Sequence, residues 1–385
     1  MILPAKFRKL SVKERRACLR EISKAFPDFD GISKNDEYLK IMDAMVENAV
    51  GAMPVPVGLV PEIIVNGKTY VVPLATEEPS VIAAASFAAS IINRHGGFTA
   101  QSPDPISIEQ IFVGQTDPKQ YDFIKSLKAE IISRIEKPLQ NMKKRGGGFK
   151  KIEFDYFPEL SIVKIEIYID TRDAMGANIL NSVGEELSSW LRDEKGCDIL
   201  MAILSNSAEE RLTIAGFSIP CSALARGGYT GAQTAERIVT ACQLADSDPK
   251  RAVTHNKGIM NGISALALAC GNDVRALESA AHFHACADWK YKPLTSYRIK
   301  EEKLHAGIEI PLPLAIKGGA TKFHPAAAAY LEILDLKDSR ELALVAASLG
   351  LAQNFAALFA LVTEGIQKGH MRLHARKSAY NREFE

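Results

Sequence analysis

Between Ile106 and Ser207 the chain spells out an ordered series of elements that limits its fold more than any other feature. The stretch Ile106–Val113, rich in β-branched residues, predicts a strand, and Pro118–Lys144 a helix. Lys151–Tyr156 and Ser161–Asp170 predict two further strands, Asp173–Arg192 a second helix and Asp198–Leu204 a last strand. The order β-α-β-β-α-β is the split βαβ, ferredoxin-like pattern. Gly146-Gly147-Gly148 breaks its first helix from its second strand. The flanking sequence reads mainly as helix. The expected fold is therefore α+β: a discontinuous, helix-rich large domain (1–105 and 208–369) into which a small ferredoxin-like domain (106–207) is inserted.

The flanks carry their own signals. Ser11-Val-Lys-Glu14 is a capping box opening a helix that Pro27 ends, and a second helix is expected from about Asn35 to Gly51. Ile63–Val72 reads as a hairpin about Asn66-Gly67. Pro79 fits the first turn of an Ala-rich helix that runs to His95 and is closed by Gly96-Gly97. From Thr230 onward helix dominates, with a β-rich patch around Leu294–Leu312. Leu342–Val362 is long enough to span a bilayer, but Gln353-Asn354 falls near its middle, and buried polar pairs are costly in lipid. The segment is expected to be a buried core helix.

The 47 basic and 46 acidic side chains leave a formal net charge of +1, so no global field draws the chain to nucleic acid or to a membrane. Six cysteines without a CxxC pair are the usage of reduced thiols, and Lys6, Arg8, Lys9 and Lys13 interrupt any apolar leader. A cytoplasmic location is expected. The Rossmann GxGxxG is absent: Gly146-x-Gly148 is followed by Lys151. Gly67-Lys68-Thr69 lacks the first glycine of a P-loop, with Glu62 in its place. His370 and His374 have no glutamate between them in the metalloprotease pattern, and His282-x-His284 would diverge on a helix. No metal is expected.

Chemistry concentrates in a few segments. They are Glu47–Gly51 with Met53–Gly58, Ala75-Thr-Glu-Glu78-Pro-Ser80, Asp170-Thr-Arg-Asp173-Ala-Met-Gly176-Ala-Asn178, Thr254–Gly262 with Gly271-Asn272-Asp273, Gly318–Thr321, Gly350–Asn354 and Gly369-His370-Met371. In this order the motifs closely resemble the hydroxymethylglutaryl-CoA reductases of the soluble bacterial and archaeal class, from about Phe7-Arg8 to Arg376. Val274 stands where that class often has Trp, and Phe323 where Thr is common.

The resemblance implies a four-electron reduction in two hydride steps. A thioester becomes a hemithioacetal, releases coenzyme A, and the resulting aldehyde becomes mevalonate; the reverse direction is open to the same site. Each carbonyl oxygen gains negative charge and needs a cation and a proton source. On the matching positions Lys257 is the cation, Glu78 the proton donor, Asp273 is hydrogen-bonded between them, and His370 protonates the departing thiolate. Burial and a nearby Asp273 would raise the Glu78 pKa against a helix N-terminus that favours ionisation. Arg8 and Arg251 would meet coenzyme A phosphate and the substrate carboxylate, with Ser80, Asn261, Gln353 and Asn354 completing the substrate set. The plainer readings are a helix cap for Glu78, a solvated turn for Lys257, a helix start for Gly271–Asp273 and a helix-end histidine for His370.

For the cofactor, Asp173 suits the N-cap of the second helix of the small domain, and Ala174, Gly176 and Ala177 are small enough for backbone to approach a dinucleotide at the positive helix end. The resemblance adds Met175, Asn178 and Asn206 to this set. Lys143, Lys144 and Arg145 would suit a 2′-phosphate, which favours NADPH over NADH; the alternative is a basic solvated helix end. Hydroxymethylglutaryl-CoA, mevalonate and coenzyme A are the expected ligands. A homodimer with shared active sites, assembling to a hexamer, is the expected state. The competing reading is a catalytically inactive coenzyme A- and dinucleotide-binding protein on the same fold. Relatives of this class continue into a small helical flap, which here would begin at 370–385 and be trimmed or naturally absent.

Overall fold

In the computed structural model, which describes residues 10–14, 16, 17 and 36–365, the elements follow in this order. Helix α1 (Asp36–Met45) precedes the hairpin β1 (Val57–Val65) and β2 (Lys68–Ala75), helix α2 (Val81–Asn93) and the short strand β3 (Thr99–Gln101). Next come β4 (Ile106–Gly114), α3 (Pro118–Ser126), α4 (Lys128–Lys143), β5 (Gly148–Phe157), β6 (Ile162–Asp170), α5 (Ala177–Asp193) and β7 (Asp198–Leu204). The chain continues through β8 (Leu212–Pro220), α6 (Gly231–Ser247), α7 (Pro249–Ala269), α8 (Val274–Ala285), β9 (Thr295–Lys300) and β10 (Lys303–Pro311). It closes with α9 (Ala320–Phe323), α10 (Pro325–Leu334) and α11 (Ser339–Val362).

Alternation along β4 to β7 gives a sheet in the order β5-β6-β4-β7, with every neighbouring pair antiparallel. One face buries Ile111, Val113, Val163, Ile165 and Ile167 against Ile131, Ile135 and Leu139 of α4 and Leu180, Val183 and Leu187 of α5. A separate hydrophobic cluster joins residues before and after this unit, from Val60 to Phe98 and from Ala215 to Val362. At its centre lies α11, whose 24 residues are mostly buried. Gly350 of α11 faces α7 so closely that an added Cβ would stand 2.7 Å from Ile263 Cδ1, so the small residue sets how near the two helices approach. The Asn354 half of the Gln353-Asn354 pair costs this helix little. Asn354 Oδ1 accepts hydrogen bonds from Tyr297 Oη (2.9 Å) and Thr295 Oγ1 (3.2 Å), so it is satisfied inside the core.

The hairpin forms at Asn66-Gly67, both at positive φ, and the capping box forms, with Ser11 N donating to Glu14 Oε2 at 2.7 Å. Several boundaries differ from the sequence reading. The helix expected over 118–144 divides at Leu127, which ends α3 and precedes α4. The helix expected from Asp173 starts at Ala177, with Gly176 at its N-cap. Pro79 lies outside α2, because Ser80 at φ 78° is the N-cap. Strand β8 is an element beyond those expected from the sequence, although Leu212–Ile219 alternates: Thr213, Ala215, Phe217 and Ile219 point into the core. It is the second strand of a four-stranded sheet ordered β3-β8-β10-β9. The helix end expected at Pro27 lies outside the described residues.

One buried group strains this packing. Glu109 of β4 is fully buried, and neither carboxylate oxygen has a hydrogen-bond partner. It fits because residue 184 of α5 is glycine: a Cβ there would lie 2.1 Å from Glu109 Oε1. Burial, with a smaller push from the charge of Glu185, raises its pKa to about 8. The folded chain thus holds this proton more tightly than the unfolded chain. Its contribution to stability declines as pH climbs from the ordinary glutamate range and levels off above about 8. Urea unfolding at pH 5, 6.5 and 8 should show a smaller loss of stability across this range in Glu109→Gln than in wild type. Parallel pH profiles for the two chains would contradict this account.

Candidate active site

A cleft of about 800 Å³ opens between α2, α7 and the C-terminal half of α11. Glu78 and Ser80 enter it from the turn before α2, and Arg251, Lys257 and Asn261 from α7. Gln353 and Asn354 enter from α11. Lys257 and Glu78 are exposed, and Arg251 is half-buried. The spacing of the α7 residues explains their convergence: 254, 257, 258 and 261 recur at three and four and so share one helix face. Lys257 therefore stands mid-helix, not in a turn. Apolar walls come from Val81, Ala84, Phe87 and Ala357.

The floor is a fixed polar network. His255 is buried, and its Nε2 shares a hydrogen bond of 2.6 Å with Thr295 Oγ1, which in turn reaches Asn354. Burial, helped by the charge of Arg251, lowers its pKa to about 4, so it is neutral near pH 7. Gln353 Oε1 is buried without a protein partner and lines the cleft. Arg226 also reaches this cleft, over the rings of Phe87 (5.0 Å) and Phe359 (5.7 Å) and 3.2 Å from Glu364. Sequence reasoning assigned no role to Arg226 or His255; the histidine lies inside the Thr254–Gly262 motif, whereas nothing in the sequence marks the arginine.

A second cleft, of about 270 Å³, gathers Met175, Ala177, Asn206, Arg211 and Asp273. It shares no lining residue with the first. Beside Asp173 and Ala174 a third hollow is lined by Arg145, Arg172, Lys317 and Arg340. Asp173 is not a helix cap. Its Oδ1 accepts from Ser339 N (3.1 Å) and its Oδ2 from Lys317 Nζ (2.7 Å), pinning the segment to the loop before α9 and to the start of α11. Gly176 is required where it stands: at φ 93° an added Cβ would meet Thr171 Cγ2 at 2.4 Å. No side chain caps α5, whose exposed first residues Ala177 and Asn178 leave backbone N–H groups for an incoming anion.

Asp273 departs from its expected place between Glu78 and Lys257. It is the N-cap of α8, accepting from Arg275 N (2.9 Å) and Ala276 N (3.3 Å), and it pairs with the Arg275 guanidinium. Burial opposes ionisation, but these bonds outweigh it and lower its pKa. The separation from Lys257 is a matter of helix length: 269 − 257 leaves 12 residues of α7, about 18 Å at 1.5 Å each, before the turn to Asp273. Within one chain, Glu78 is exposed and lines a different cleft from Asp273. Asn272, next to it, is structural, its Oδ1 accepting from Ala315 N at 2.7 Å and its Nδ2 donating to Ala315 O at 3.1 Å. Arg8 and His370 lie outside the described residues.

The sequence model of hydroxymethylglutaryl-coenzyme A reductase matches residues 11–375. The 3-hydroxy-3-methylglutaryl-coenzyme A reductase of Archaeoglobus fulgidus is 41% identical, the match covering 97% of this chain and 86% of the relative. A probable reductase of Borreliella burgdorferi is 38% identical, over 98% and 86% of the two chains. The class II enzyme of Streptococcus pneumoniae, solved bound to NADPH in open conformations, superposes with a TM-score of 0.81 at 39% identity. That match covers 94% of this chain and all of the other. Sequence, family match and three-dimensional likeness agree over nearly the whole chain, and the protein belongs to the hydroxymethylglutaryl-coenzyme A reductase family.

Proposed function

We propose that this NAD(P)-dependent oxidoreductase interconverts hydroxymethylglutaryl-CoA and mevalonate at a site completed between two chains, one lending the Lys257 cleft and the other the Asp273 cleft. The observation that carries this reading is the separation of Lys257 from Asp273 along α7. A homodimer repeats the pairing twice by symmetry, and dimers would assemble to a hexamer in the cytoplasm. The domain assignment follows the two hydrophobic clusters. Residues 106–207 form a ferredoxin-like, non-Rossmann domain for the dinucleotide, and 1–105 with 208–369 form the large domain for coenzyme A and substrate.

In this reading Lys257 faces the carbonyl oxygen, where its ammonium stabilises developing negative charge, and Glu78 returns a proton to that oxygen. Closure by the second chain would desolvate Glu78 and bring Asp273 to it, the surroundings a general acid requires. Arg251 takes the substrate carboxylate, Ser80 and Asn261 hydrogen-bond the substrate, and the unpartnered Gln353 Oε1 offers an acceptor to it. Asn354, already engaged by Thr295 and Tyr297, holds the floor in place. Arg8 serves coenzyme A phosphate and His370 the departing thiolate.

The second cleft suits the phosphate end of a dinucleotide, because the uncapped α5 and the glycine at 176 admit an anion against backbone. Asp173, Ala174, Met175, Gly176, Ala177, Asn178 and Asn206 would hold the cofactor, whose nicotinamide supplies hydride when bound. Arg211 stiffens the cradle by donating to Thr171 Oγ1 (2.6 Å), while that hydroxyl donates to Ala174 O (2.9 Å). Of the three basic residues before the glycine run, Lys143 pairs with Glu136, whereas Arg145 lines the hollow beside Asp173. Arg145 is therefore the partner for a 2′-phosphate, favouring NADPH.

Nicotinamide absorbance followed with hydroxymethylglutaryl-CoA tests the catalytic assignment. Lys257→Ala should lower turnover by about 10²–10³ while substrate affinity changes little, since the lost interaction belongs to the transition state. Turnover near the wild-type rate would remove Lys257 from the chemistry. Arg145→Ala should lower kcat/KM for NADPH more than for NADH. An unchanged ratio between the two cofactors would place the 2′-phosphate elsewhere.

A further inference from the structure

The outer face of the sheet β3-β8-β10-β9 holds a hollow of about 490 Å³ that shares no lining residue with either cleft. Strand register decides what lines it. Gly216 and Gly307 stand opposite each other, flanked by Thr99 on β3 and Ser296 on β9, so the backbone lies bare in the middle of the sheet. The next row aligns Ser218, His305 and Arg298, each directly opposite its neighbour. Side chains so placed have Cβ atoms about 4.5–5.5 Å apart and can grip one small ligand together. His95, from the turn after α2, closes the hollow from another element.

The sign of the charge is uniform. The hollow presents Arg298, His305 and His95 and no carboxylate, and Arg298 makes no ion pair among the described residues. Ser218 Oγ is buried, has no hydrogen-bond partner and lines the same hollow, a hydroxyl with a proton to donate. An imidazole offers at least one ring N–H in either charge state, and a guanidinium offers a planar fork suited to phosphate. Lys300 and Lys303 follow in the next row; Lys300 Nζ lies 3.7 Å from Glu301 at the hairpin turn. The nearest acid along β10 on this face, Glu309, lies beyond Gly307 in an adjoining hollow that shares Ser296 and Gly307 with this one and also holds His284 and Lys292.

We infer that this face is a binding site for a small phosphate-bearing anion, held by Arg298, His305 and Ser218 over the glycine shelf. The hollow shares no residue with the clefts assigned to substrate and cofactor, so the inference stands apart from that assignment. Inorganic diphosphate is the probe, titrated calorimetrically into the whole protein saturated with coenzyme A and NADP+, so that the phosphate sites of those ligands are filled. One saturable site per chain is expected. Arg298→Glu should weaken it at least about ten-fold, the worth of one charge-assisted hydrogen bond, and His305→Ala should weaken it as well. Arg298 is exposed, so its replacement leaves the core untouched, and kcat and both KM values should stay at wild-type levels in that chain. Absence of saturable binding to the wild-type protein, or equal affinity in wild type and Arg298→Glu, overturns the assignment.

Discussion

The architecture turns on one buried guanidinium. Arg211 is almost wholly inaccessible, and it donates to Ile106 O (3.0 Å), Ser107 Oγ (2.6 Å) and Thr171 Oγ1 (2.6 Å), with longer bonds to Pro105 O and Leu314 O. Those partners are where the chain enters the β5-β6-β4-β7 sheet, where it leaves β6 for the cofactor segment, and where it comes off β10. Burial lowers the Arg211 pKa to about 10, partly offset by Asp170, so the group stays charged near neutrality. A buried charge of this kind is tolerated only when fully hydrogen-bonded, and the demand fixes the geometry. A lysine could not meet five acceptors spread around a plane. Through Thr171 the same group sets the turn in which Gly176 must be glycine, and so the start of α5.

The second constraint is the length of α7. Because that helix is continuous from Pro249 to Ala269, it presents its cations to one cleft and delivers Asp273 to another. Packing against α11 holds it there: Gly262 and Gly350 let the two helices approach, and the polar floor of His255, Thr295, Tyr297 and Asn354 leaves little freedom for repacking. A single chain built this way keeps Lys257 and Asp273 apart. Under the proposed two-chain site, association would be part of the chemistry rather than an addition to it.

Much of this was legible in the sequence where one physical signal dominates. The Asn66-Gly67 turn, the Ser11–Glu14 capping box and the β7 boundaries follow from local preference alone. Ser80, Arg251, Asn261 and Gln353, expected to bind substrate, do converge on one cleft, because their motifs fall on faces that meet. The failures have a common cause in tertiary contacts. Asp173 has the look of a helix cap, but its carboxylate is more useful to Lys317 and Ser339 across 144 and 166 residues of chain. Nothing in the sequence signals that the rise of α7 keeps Asp273 from Lys257 within one chain, so that the expected pairing needs a second chain. Strand β8 alternates plainly, but it sits between a glutamate-rich turn and a short 3-10 helix and was passed over. Glu109 gives no local sign of being buried unpaired; that depends on a glycine in a helix 75 residues later (184 − 109).

Co-production of two differently tagged chains, one Lys257→Ala and one Asp273→Asn, tests the shared site most directly. Asparagine is a good N-cap, so the second chain keeps the start of α8. Each variant alone should be nearly inactive. In a purified hybrid dimer one site inherits both defects and the other neither, so the account predicts about half the wild-type rate for the symmetric pair. A hybrid no more active than its parents would contradict it and return both residues to a site within one chain.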